Sequence, residues 1–78
     1  MLTLRNIKRT NNIIEADFYP EGEKVFGHVV VDLNTEKIIT FTNPEGYKYS
    51  TCPLHAKYEL LRMKDLKEFP EKRVVLWY

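Results

Sequence analysis

Ile13-Ile14-Glu15-Ala16-Asp17-Phe18-Tyr19 decides the fold. Ile14, Ala16 and Phe18 alternate with Glu15, Asp17 and Tyr19, the period of a strand buried on one face. Pro20-Glu21-Gly22 follows, joining a fixed φ to a residue tolerant of positive φ, and predicts a tight reversal. Beyond it, residues 25–33 are rich in β-branched side chains (Val25, Val29, Val30, Val31) and suit the next strand. Upstream, Asn11-Asn12 turns the chain away from an extended run over about residues 2–8. Downstream, residues 32–37 make a polar hairpin connection and residues 37–42 a fourth strand, which completes a meander.

Keeping one face apolar gives an expected register. Phe18 opposes Val25, Ala16 opposes Gly27 and Ile14 opposes Val29, with Val31 near Ile39 and Val29 near Phe41. Ile14, Ala16, Phe18, Val29, Val31, Ile39 and Phe41 then share the side that a helix shields. The other face collects Glu15, Asp17, His28, Val30, Asp32, Ile38, Thr40 and Thr42, a mixture of charge and apolar surface.

The helix is expected to begin near Ser50 or Thr51, either able to cap backbone N–H groups, with Pro53 in its first turn. It runs to about Lys67 or Glu68, and Pro70 prevents continuation. Its apolar residues form two stripes, Ala56-Leu60-Met63 and Leu54-Tyr58-Leu61. One packs on the sheet. The other takes a cover, such as the loop 47–49, or stays an exposed patch. Residues 72–78 form a last strand. The expected fold is α+β in the order β-β-β-β-α-β: one domain over residues 1–78, an antiparallel meander, a helix on one face and a C-terminal strand. A last strand beside the first is antiparallel and gives the order 4-3-2-1-5; beside the fourth it needs a right-handed crossover. The first arrangement is the expectation.

Composition narrows the function classes. A chain of 78 residues holds one modest core, since domains of this size bury only roughly 60–65% of their unfolded surface. Cys52 is the sole cysteine, which excludes an internal disulfide and a cysteine-based zinc site and suits a reducing compartment. Dimerisation remains as a staple. Twelve Lys and Arg against eleven Asp and Glu leave a charge of +1, with no pull towards nucleic acid or an anionic membrane. The N-terminus turns polar too early for a signal peptide, and no apolar run approaches the roughly 20 residues of a membrane span. The expected location is cytoplasmic. Gly22, Gly27 and Gly46 are the only glycines, so no phosphate-cradling loop exists and no cofactor is implied.

Four constellations carry chemistry. Cys52 sits at the helix start, where the dipole favours thiolate, with His55 one turn on as a base; no third, orienting group is identifiable, and a buried cysteine beside a surface histidine is the blander account. Glu15 and His28 come opposite each other in the expected register, with Thr42 next across, where a carboxylate could tune a histidine or simply make a cross-strand pair. Cys52, His55 and His28 would ligate a metal only if folding carried His28 to the helix start, so no metal site is expected. Tyr47 and Tyr49 flank Lys48, and Tyr58 and Trp77 add aromatic surface suited to stacking single-stranded bases. Against that, Glu15, Asp17 and Asp32 repel phosphate, and the helix cations Lys57, Arg62, Lys64 and Lys67 alternate with Glu59, Asp65 and Glu68. The meander followed by a helix resembles, in topology alone, the single-strand-binding transcriptional coactivator and Whirly folds.

Residues 14–22, Gly27-His28-Val29-Val30-Val31-Asp32 with Thr35-Glu36, His55-Ala56 and Val75-Leu76-Trp77-Tyr78 together resemble a group of small bacterial proteins of about this length that carry no assigned activity. The resemblance implies a complete protein and no reaction. The expected role is a non-enzymatic one, a small protein-interaction module or homodimer. Its contact surface would come from the second helix stripe and the mixed face with Val30 and Ile38. The alternatives are a thiol-dependent enzyme on Cys52 and His55, and a single-strand binder.

Overall fold

The alternating run becomes a central strand of a five-stranded sheet. A computed structural model describes residues 1–21, 24–46 and 51–76. Its elements are β1 (Leu2–Thr10), β2 (Ile13–Pro20), β3 (Gly27–Asp32), β4 (Lys37–Thr42), α1 (Cys52–Met63) and β5 (Lys72–Val75). The strand order is β4-β3-β2-β1-β5 with every neighbour antiparallel, the expected arrangement. α1 packs across one face and touches all five strands. Leu2, Leu4, Ile14, Ala16, Phe18, Val29 and Val31 on the sheet meet Ala56, Leu60 and Met63 from the helix, and all are buried. The Ala56-Leu60-Met63 stripe is therefore the packed one, while Leu54 and Tyr58 are exposed and Leu61 sits at the core margin.

The β2–β3 register differs from the expected one by two residues: Phe18 opposes Gly27, Ala16 opposes Val29 and Ile14 opposes Val31. Gly27 sets this. A Cβ there would lie 2.5 Å from the Phe18 ring and 2.1 Å from the Thr42 carbonyl oxygen, so only glycine fits beneath that ring. Gly22 of the expected Pro20-Glu21-Gly22 reversal lies outside the described residues. Pro20 still belongs to β2, Glu21 takes φ 52°, and Val25, the expected partner of Phe18, is exposed in the connection.

Two irregularities change which side chains point inward. In β1 the pairing steps from Arg5–Asp17 to Lys8–Glu15, so Asn6 and Ile7 together oppose Ala16, with Asn6 at φ 55°. That bulge lets Ile7 join the core margin after Leu2 and Leu4. In β4 the pairing steps from Thr40–Val30 to Ile38–Val31 and passes over Ile39. Ile38, expected on the mixed face, packs at the core margin instead, whereas Ile39 and Phe41, expected in the core, are 54% and 49% exposed. β4 is an edge, and the helix does not reach far enough to cover them.

The helix is shorter than its sequence pattern suggests. Thr51 makes no side-chain cap; its carbonyl accepts from Leu54 N and His55 N instead. Ser50 lies outside the described residues. At the other end Arg9 Nη1 donates to the Lys64 carbonyl at 2.6 Å, and Leu66 N donates back to the Met63 carbonyl. Leu66 is exposed, so continuing the helix to Lys67 would bury nothing. β5 likewise stops at Val75, and Trp77 and Tyr78 lie outside the described residues.

Candidate functional site

The sheet face away from α1 carries the polar cluster. With the observed register, Asp17, not Glu15, lies directly across from His28, and Glu15 lies opposite Val30. His28 nevertheless reaches both acids: Nδ1 is 2.7 Å from Asp17 Oδ1 and Nε2 is 3.0 Å from Glu15 Oε1. Ionised carboxylates only accept, so satisfying both contacts needs an N–H on each ring nitrogen. A neutral ring donates to one acid and turns a lone pair on the other.

Neighbouring strands complete the cluster. Asn6, thrown outward by its bulge, donates from Nδ2 to the second Asp17 oxygen at 2.7 Å. Lys8 Nζ stands 3.8 Å from Glu15 Oε1. Thr42, His28's partner on β4, accepts from the His28 backbone N–H through Oγ1 at 3.2 Å. Asp17 and Asn6 had no individual signal in the sequence, because the two-residue register difference and the bulge are both invisible to alternation. Every carboxylate in this network already holds a partner, and the cluster forms a bracket across β1, β2 and β3. Beside it Tyr19 stacks against Phe26, with ring centroids 5.2 Å apart, and Arg5 lies over the Tyr19 ring.

Cys52 and His55 lie on α1, on the other side of the sheet from His28, so the three do not converge. Cys52 is only 4% exposed and belongs to the core, while His55 is half-buried. Among the described residues no group of His, Cys, Asp and Glu is placed to hold a metal ion. Tyr47 and Tyr49 lie outside the described residues. Tyr58 is exposed with Lys57 Nζ 4.6 Å from its ring. No described helix is long and apolar enough to cross a membrane.

The two edges of the sheet differ in chemistry. On the β5 side, β5 presents Lys72 and Arg73; β5 begins opposite Arg5, and Lys8 and Arg9 of β1 lie beyond that end. An open cavity of about 380 Å³, lined by Arg5, Asn6, Ile7, Phe69, Pro70 and Glu71, lies where β5 begins. On the β4 side, five consecutive residues, Ile38-Ile39-Thr40-Phe41-Thr42, carry no charge, and only Lys37 stands at one end. No protein-family model matches this chain, and no curated protein or solved structure matches it either.

Proposed function

We propose that this protein is a small, non-enzymatic protein-binding module whose recognition element is the open edge of β4. The observation that carries the reading is the uncharged run Ile38-Ile39-Thr40-Phe41-Thr42 on an edge strand, with Ile39 and Phe41 about half exposed. An edge strand offers a row of backbone N–H and C=O groups that a further strand can satisfy, and proteins that avoid this place charge, proline or very short strands there. β5 is short and basic, whereas β4 has no charge or proline within that run and is blunted only by its bulge at Ile39. Burial of Cys52 leaves its thiol without the approach that a nucleophile needs, and Glu15 and Asp17 give the open face no attraction for phosphate.

Selection from a random-peptide library against sparsely immobilised single chains tests the reading. Extended peptides should be retained by the wild-type chain and lost with Phe41→Lys. Retention that is indifferent to Phe41→Lys and Ile39→Lys would move the binding surface off β4.

A further inference from the structure

We propose that the cavity where β5 begins binds a small monocarboxylate that carries a flat apolar group, with Arg5 as the group that holds its carboxylate. The β4 edge lies at the far side of the sheet, so this site stands apart from the protein-binding reading above.

An uncommitted guanidinium is the first argument. Of the four arginines, Arg9 lies 3.9 Å from Asp65, and Arg62 and Arg73 lie 3.9 and 3.7 Å from Glu59. Among the described residues Arg5 makes no ion pair. Asp17 opposes it on β2 but is already taken by His28 and Asn6. Arg5 lies instead over the Tyr19 ring, 5.9 Å from its centroid. An arginine laid over an aromatic face keeps the N–H groups at its edge for a ligand, and its planar fork matches the two oxygens of a carboxylate.

A like-charged neighbour is the second argument. Lys72 opposes Arg5 across the β1–β5 ladder, and residues opposed in an antiparallel pair point to the same side. Two cations directly opposite each other destabilise a strand pair. Lys72 makes no ion pair among the described residues either. An anion beside the two offsets their repulsion, so the ladder and the ligand favour the same charge. Glu71 in the lining and Asp17 beyond Arg5 are acids, and they disfavour a doubly charged phosphate over a single carboxylate.

Shape completes the case. A volume of about 380 Å³ suits a small molecule. Ile7 and Phe69, both packed at the core margin, form an apolar wall with Pro70. Asn6 stands at the β1 bulge with φ 55°, its amide tied to Asp17 at 2.7 Å. The chain that leads to Phe69 is anchored where Arg9 holds the Lys64 carbonyl and Leu66 N donates to the Met63 carbonyl. A lining fixed in advance spares the ligand the cost of ordering it.

Amide NMR of the nitrogen-labelled full chain, titrated with benzoate at constant ionic strength, tests the proposal. Saturable shifts should centre on the amides of Arg5, Asn6, Ile7, Phe69 and Glu71. Benzylamine, of similar shape and opposite charge, should give none, and phenyl phosphate should bind more weakly than benzoate. Acetate should bind at least about tenfold more weakly, because the apolar wall is then unused. Arg5→Gln should weaken benzoate by about tenfold or more, the scale of a charged hydrogen bond, with an unchanged circular dichroism spectrum. Lys72→Gln should weaken it by about threefold, and answers the same question if Arg5→Gln does not fold. Lys37→Gln, at the other edge of the sheet, should change nothing. No saturation by about 10 mM benzoate, shifts spread equally to Lys8, Arg9 and Lys37, or binding indifferent to Arg5→Gln and Lys72→Gln overturns the proposal. So does benzylamine, phenyl phosphate or acetate binding as tightly as benzoate.

Discussion

Gly27 exerts more control over this structure than its size suggests. Its missing side chain admits the Phe18 ring, and that contact fixes β2 against β3, which in turn places His28 across from Asp17. Gly27→Ala should therefore cost about 1–3 kcal/mol, the range for forcing extra volume into a packed site. Chemical denaturation checks this; an unchanged midpoint would mean that both the Phe18 ring and the Thr42 backbone carbonyl can give way. The candidate polar cluster was half legible from the sequence. Alternation sets Glu15 and His28 on one face, and a shift of two residues leaves both there. Asp17 and Asn6 escaped because alternation states which face a residue takes and says nothing about its partner along the strand.

Elements were easier to foresee than their ends. The four strand runs, the helix and the last strand are all where hydrophobic period and turn chemistry put them. α1 stops at Met63 because a strand residue intervenes: Arg9, distant in sequence, takes the Lys64 carbonyl. No local pattern contains that contact. Arg9→Ala should fray the last turn, at a cost of about 1 kcal/mol for a partly exposed charged hydrogen bond. Hydrogen exchange should show faster amide exchange at Met63 and Lys64 with the β2 amides unaffected. Equal acceleration in both would mean that Arg9 supports the whole domain. β4 shows the same limitation from the other side. Its pattern looked like a buried strand, and Ile39 and Phe41 stand exposed because edge position and a bulge are properties of the sheet.

At the scale of the whole molecule, one layer of sheet and one helix enclose a single core. Val29 is fully buried at its centre, between Ala16 on β2 and Phe41 on β4. Val29→Asp would bury a charge with no counterpart and should leave the chain unfolded, with loss of the circular dichroism signal and of any cooperative melt. A native melting profile would mean that the core is not where the burial pattern puts it. The architecture followed from the sequence because a small chain with one apolar face per strand has few ways to hide it. The basic residues along the β5 and β1 margin have a consequence for how large an assembly can become. Lys72, Arg73, Lys8 and Arg9 set like charge against the same margin of another molecule, which disfavours sheet pairing through that rim. Edge-to-edge growth through the other rim would then end at a pair, where a sheet with two receptive rims would polymerise into fibres.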